Sequence, residues 1–294
     1  MALEVVGRHK ALLTSMRNGM IPAGRTIYKM SGSGNDFVMV DARTEPPGRL
    51  AESEVVQRIC ARGTGVGADG IVFLEPSQTA AIRLIYLNAD GSRADLCGNA
   101  TLCTTRLTIE LGVASPEGLK IETDSGVVAA RIKDGRPEID LQPVREVRPD
   151  LPEIPREVGE RRMGFALVGV PHVVALVDDL ETVDVVGRGQ PIRRHPSLPH
   201  GANANFVAKD RYGRWRMRTY ERGVEAETLA CGSGAVATAI MLTAWGETEG
   251  IVVLETRSGR ELAVTLRRTD EDGEWFPSLR GEGTVVFKGQ LAEI

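Results

Sequence analysis

One segment of this chain is written twice. Leu96-Cys97-Gly98-Asn99-Ala100 and Ala230-Cys231-Gly232-Ser233-Gly234 lie 134 residues apart, and the sequence around each follows the same order. Eleven residues before each cysteine stands a tyrosine, Tyr86 and Tyr220, closing a strand-like run. The second run, Arg214-Trp215-Arg216-Met217-Arg218-Thr219, alternates basic residues with apolar ones or Thr, the period-two pattern of a half-buried strand. After each cysteine the period becomes helical. Cys103, Leu107 and Leu111 fall on one face of the first helix, while Ala235, Val236, Ala239, Ile240 and Leu242 leave the second apolar nearly all round. Gly112 and Gly246, again 134 apart, suit the position just past a helix end. Residues 121–126 and 254–259 then read as strands running into turns. Two copies are too few for a solenoid, so the expected fold class is α/β: two similar domains, each wrapping strands around one buried helix.

Residues 134–155 carry five prolines, more than a continuous central strand or helix tolerates, and mark the boundary. The expected division is an N-terminal extension over 1–25, a first domain over 26–140 and a second over 141–278. The final strand-like segment follows the second copy, so 279–294 can return to the first domain. Residues 1–25 read as a frayed extension, with Met20 an alternative start. They lack the apolar stretch of a secretory signal, which makes the cytoplasm the default compartment and reduced cysteines the expectation. No run approaches 18 apolar residues, and a net charge near −4 with no basic stretch argues against nucleic acid.

The four cysteines are Cys60, Cys97, Cys103 and Cys231. No CxxC occurs and no histidine stands at zinc-ligand spacing, so no metal is expected. Cys60, in an apparent helix over 55–61, and Cys103, two turns inside its own, read as core fillers. Cys97 and Cys231 differ because each stands where a loop enters a buried helix. Unpaired backbone N–H groups there form an anion site, and the positive helix end lowers a thiol pKa. Gly98 and Gly232 admit a ligand close to the backbone, and Asn99 and Ser233 add polar side chains. Two facing entrances would clamp one α-carbon, one thiolate taking its proton from one face while the other thiol donates from the opposite face. The expectation is a cofactor-independent amino-acid racemase or epimerase. A nucleotide loop at residues 63–70 has neither a Lys-Ser/Thr ending nor βαβ context, and reads as a loop beside the cleft.

These residues closely resemble the diaminopimelate epimerase family. Lys29-Met30-Ser31-Gly32-Ser33-Gly34-Asn35-Asp36-Phe37 is similar to its N-terminal signature. Asn88-Ala89-Asp90-Gly91-Ser92 with Leu96-Cys97-Gly98-Asn99 resembles its first catalytic motif. Tyr220-Glu221-Arg222-Gly223 with Glu227-Thr228-Leu229-Ala230-Cys231-Gly232-Ser233-Gly234 resembles its second. The likeness runs from about residue 26 to the end. It implies mostly antiparallel sheets around each helix, an active site in the cleft between domains, and commonly a homodimer. It implies conversion of LL- to meso-diaminopimelate without pyridoxal phosphate or metal, feeding lysine and cell-wall synthesis. Carried over by motif, Cys97 and Cys231 are the paired acid and base. Gly98, Asn99, Gly232 and Ser233 hold the α-carboxylate, and Asn35, Asn88, Asn203, Glu221 and Arg222 contact substrate. Arg222 suits the distal carboxylate, which a guanidinium can grip at two points. His172 matches a family histidine that could tune the thiols; a hydrogen-bonded structural role is the alternative. His195 and His200 need no functional reading.

Several positions depart from the family pattern. Val170 replaces an Asn that contacts the distal head, Gly70 stands where some members carry Gln, and Val224-Glu225-Ala226 makes that loop one residue longer. The residues after Cys97-Gly98-Asn99 also lack the family's small-residue and Arg pattern. Val170 prompts the alternative of a racemase with the same two cysteines acting on another amino acid. A binding protein that has lost turnover is the remaining class, and retention of both thiols argues against it.

Overall fold

The computed structural model describes residues 24–269 and 273–293. The expected extension falls almost wholly outside these. Gly24 and Arg25 do not: both exchange backbone hydrogen bonds with Leu291, and the Arg25 guanidinium bonds Pro46 O.

The first half runs β1 (Thr26–Gly32), β2 (Asn35–Asp41), α1 (Ser53–Cys60), β3 (Gly70–Glu75), β4 (Ile82–Asn88), β5 (Arg93–Ala94), α2 (Gly98–Glu110), β6 (Leu119–Thr123), β7 (Gly126–Lys133) and β8 (Arg136–Asp140). After β9 (Val147–Arg148) the second half repeats that order. It runs β10 (Glu160–Val168), β11 (Val170–Val177), α3 (Val185–Arg193), β12 (Asn203–Lys209), β13 (Trp215–Glu221), β14 (Ala226–Thr228), α4 (Gly232–Ala244), β15 (Ile251–Glu255), β16 (Glu261–Arg268) and β17 (Trp275–Arg280). Last comes β18 (Thr284–Gln290). The pairing is duplicated too. β1–β2, β3–β4, β6–β7 and β7–β8 are antiparallel and β2–β3 and β4–β6 parallel, and the second half matches each of these. The expected plan of mostly antiparallel sheet around a central helix is therefore present twice.

α2 and α4 lie inside one continuous apolar core that includes Met30, Leu102, Leu107, Ala235, Ile240 and Leu279. Smaller clusters on the outer faces pack under α1 and α3. α2 carries four fully buried threonines, and Thr101 and Thr105 bond the carbonyls four residues back, which satisfies their hydroxyls inside the helix. Both helices end as the glycine spacing predicts. Gly112 (φ 68) and Gly246 (φ 72) adopt the left-handed conformation, and the residues after them, Val113 and Glu247, bond back to Thr108 O and Leu242 O.

The proline-rich segment that marks the boundary holds two separate strands, β8 and β9. Pro137 is tolerated there since pairing with β17 begins one residue later, at Glu138, while its carbonyl accepts from Gly281. Tyr86 and Tyr220 are not equivalent. Val72, third in β3, faces Tyr86; Asn205, third in β12, faces Thr219. The offset in this strand is 133, and the extra residue lies in the longer turn before β14, where Glu225 has φ 57. A one-residue slip in a strand exchanges its faces. Tyr86 therefore packs edge-on to Phe37 in the inner core, whereas Tyr220 belongs to the outer cluster beneath α3.

The halves join where β8 pairs antiparallel with β17, Ile139 opposite Leu279. Fully buried, Leu279 lies directly beneath the first turns of both central helices: methyls placed on Gly98 and Gly232 would stand 3.2 and 3.0 Å from its Cδ2. Leu279→Ala is expected to lower unfolding free energy by about 2–5 kcal/mol, read from the urea midpoint. A cost below about 1 kcal/mol would show that the seam is not a packing centre.

Candidate active site

Cys97 and Cys231 occupy the same place in the two halves. Each is the N-cap of its helix in extended conformation, with φ −129 and ψ 114 at Cys97 and φ −137 and ψ 110 at Cys231. The helix starts face each other closely: a methyl on Gly232 would stand 3.8 Å from Gly98 Cα and 3.6 Å from Asn99 Oδ1. Gly98, Asn99, Gly232 and Ser233 thus stand together where the two helices begin. Cys231 Sγ accepts from Gly234 N at 3.3 Å and lies 3.6 Å from Ser233 Oγ. The β1–β2 turn reaches across the halves, Ser258 Oγ donating to Ser33 O at 3.2 Å.

Asn35, in that turn, is brought to the site by a directed chain. Asp69 accepts from Arg62 Nη2 (2.7 Å), from Asp36 N (3.1 Å) and from Asn35 Nδ2 (2.9 Å). A carboxylate only accepts, so the Asn35 amide must turn its Oδ1 away, where it receives Asn99 Nδ2 at 2.7 Å. That leaves Asn99 Oδ1 buried without a protein partner. The Asn99 side chain therefore offers an acceptor, suited to an ammonium.

On the second half, Asn203 is buried and accepts from Arg222 N at 2.7 Å. Arg222 bonds His200 O at 2.8 Å, and among the described residues neither it nor Glu221 forms an ion pair, so the guanidinium retains donors for a carboxylate. His172 is buried beside Asn203 in the parallel β11–β12 pair. Asn88 is the exception: its amide bonds Ser92 Oγ at 3.0 Å within its own turn, the ordinary role of a turn residue. Asp69, Arg62 and Asn205 were not singled out from sequence. Asp69 lay in the segment read as a loop, whereas Asn205 could have been found from its spacing, two residues beyond Asn203 and on the same strand face.

The thiols behave differently from the sequence expectation. Burial pushes Cys97 up to about 11, against the pull of the Ala100 and Asn99 N–H groups, with the charge of Glu221 adding to the rise. Burial pushes Cys231 up to about 12, Glu221 again adding and the Ser233 hydroxyl and Gly234 N–H opposing. The positive helix end acts in the expected direction, but desolvation of the thiolate outweighs it. Both are thiols at neutral pH. Burial also raises Glu221. Cys60 and Cys103 lie in the cores as expected, Cys103 against Gly32. Among the described residues no three His, Cys, Asp or Glu side chains gather as metal ligands, and no helix is long and apolar enough to cross a membrane.

Two halves of one plan define a fold found in other solved proteins. A PhzF-family phenazine biosynthesis protein from Bacillus anthracis matches with a TM-score of 0.71 and 15% identity, over 92% of this chain and 99% of that one. A hydroxyproline epimerase from Agrobacterium vitis gives 0.65 and 19%, over 93% and 92%. At those identities the likeness is one of fold. Sequence is more specific: the profile described as Diaminopimelate epimerase covers residues 27–145 and 164–278. The diaminopimelate epimerase of Gemmatimonas aurantiaca is 50% identical over 275 residues, 91% of this chain and 99% of that protein. That of Aquifex aeolicus is 36% identical over 90% and 97%. The chain belongs to the diaminopimelate epimerase family, a family of isomerases.

Alkylation by iodoacetamide, followed peptide by peptide, is expected to be slow at Cys97 and Cys231 at neutral pH. It should climb roughly tenfold per pH unit and level off only towards about 11 at Cys97. Full modification of either at the rate of an ordinary exposed thiol would contradict the burial argument.

Proposed function

We propose that this protein interconverts LL- and meso-diaminopimelate by two-base proton transfer between Cys97 and Cys231, in lysine and cell-wall precursor synthesis. The observation that carries this reading is the close approach of two cysteine-capped helix starts. The α-carboxylate is held by backbone N–H groups at Gly98, Asn99, Gly232 and Ser233, which stabilise charge developing on it. One sulfur enters as thiolate and takes the α-proton, becoming S–H as the C–H bond breaks. The opposite thiol gives its proton to the other face of the carbanion and becomes the thiolate. The centre is inverted and the reverse reaction exchanges the two roles. Because both resting groups are thiols, one proton must leave to solvent before turnover.

Asn35, Asn203, Glu221 and Arg222 are assigned to substrate, with Arg222 on the distal carboxylate. Asn88 belongs to the same rim only through its position at the end of β4. The second reading, a racemase of another amino acid, is favoured by Val170, which begins β11 where Asn35 begins β2. The halves are assigned as domains over 26–140, with 279–294 returning to the first, and 141–278. The return is supported by the β18–β1 pairing. A homodimer is supported by the exposed Val286 and Phe287 on β18. A cytoplasmic location is supported by four free cysteines.

Incubation with LL-diaminopimelate in deuterated water is expected to place one deuteron at the inverted α-carbon. Cys97→Ser and Cys231→Ser are each expected to reduce kcat by roughly 10²–10⁴-fold. Undiminished exchange in both variants would overturn the two-base chemistry. No exchange on diaminopimelate but exchange on another amino acid would replace the substrate and leave the chemistry standing.

A further inference from the structure

The two halves share one backbone plan and differ in a buried trio. The third residue of β2, the third of β3 and the fifth of β4 are Phe37, Val72 and Tyr86. Their counterparts in β11, β12 and β13 are His172, Asn205 and Thr219, all buried. Exchanging an apolar trio for a polar one in the core costs stability unless every group is paired, and a buried group left unpaired calls for an explanation.

The pairing here has a direction. Asn205 Nδ2 donates to Val173 O at 3.0 Å and lies 3.2 Å from His172 Nδ1, while Thr219 Oγ1 donates to Asn205 Oδ1 at 3.0 Å. A carbonyl only accepts, so the amide cannot be turned round without opposing two oxygens at Val173. Its second N–H then faces His172 Nδ1, which must accept. A neutral imidazole whose Nδ1 accepts carries its proton on Nε2. That Nε2 is buried and has no partner in the protein. The charge state agrees: burial, with Arg222 nearby, depresses His172 to about 3, so the ring is neutral at working pH. Gly234 belongs to the same device. A methyl on it would stand 2.4 Å from Asn205 Oδ1, and its counterpart three residues after Cys97 is Ala100, in the half where Val72 takes the place of Asn205.

We propose that Asn205 is a positioning residue that holds His172 in the Nε2–H tautomer, so that the imidazole meets the ligand as a neutral hydrogen-bond donor and not as a base. The tautomer stands on geometry alone; only its kinetic consequence rests on the epimerase reading above. The chain has four histidines, so ¹⁵N-histidine labelling gives few signals, and His172→Gln assigns the relevant pair by its loss.

Long-range ¹H–¹⁵N correlation of the intact, substrate-free protein is expected to show a pyridine-type Nδ1 and a pyrrole-type Nε2 for His172. The pattern should hold across roughly pH 6–9. Asn205→Leu is expected to lose it and to lower kcat about tenfold, the worth of one hydrogen bond, with KM little changed. Thr219→Val, which leaves Asn205 in place, should keep the pattern. A pyrrole-type Nδ1 in the intact protein, or a wild-type kcat in Asn205→Leu, overturns the proposal. If Asn205→Leu does not fold, the spectrum of the intact protein and of Thr219→Val still decides it. Because the spectrum is read without substrate, inactivity towards diaminopimelate would count against the epimerase reading and leave the tautomer test intact.

Discussion

Two helix N-termini that face each other bring like partial charges together, and the fold is arranged to hold them so. α2 and α4 are each buried inside their own half, so neither helix can swing away without exposing core. The β8–β17 pairing fixes the halves edge to edge, and Leu279 sits under both first turns. A carboxylate between the helix starts would meet N–H groups from both sides, so the arrangement favours an anionic ligand before any side chain is considered.

The same burial that builds the gap works against the thiolates it needs. A helix end stabilises a sulfur anion by partial charges a few ångströms away, whereas removing that sulfur from water penalises the anion directly, and the second effect is larger here. The Glu221 carboxylate adds to the penalty at both sulfurs. A bound ammonium group would oppose it, which couples thiolate formation to occupancy of the site.

The duplicated frame was legible because a buried helix and its flanking strands impose apolar periodicities, and two copies at nearly constant spacing reinforce one another. Legibility failed where one residue decides. Tyr86 and Tyr220 look equivalent by counting back from the cysteines, yet the longer turn at Glu225 absorbs a residue and turns them to opposite faces. α3 was missed because Gly187, Gly189 and Pro191 are poor helix formers; Asp184 caps it and the close approach of Gly189 to Tyr220 requires the missing side chain. Of the site, the two cysteines and their Gly-Asn and Gly-Ser neighbours were readable because they sit at the switch from strand to helix. Asp69 was not, and the spacing of Asn205 from Asn203 marks its strand face but not its part. Each orients another side chain, Asn35 or His172, and that depends on which atom faces which, a property without sequence period.

The connection of the terminal strands has a consequence for how this chain folds. β9, which follows the first half, pairs with β10 of the second, and β18, which follows the second, returns to β1 of the first. Each half thus lends its trailing strand to its twin, the arrangement of a swapped dimer drawn on a single thread. The first lobe is not complete as an uninterrupted stretch of sequence. It closes only when the end of the chain has come back to its beginning.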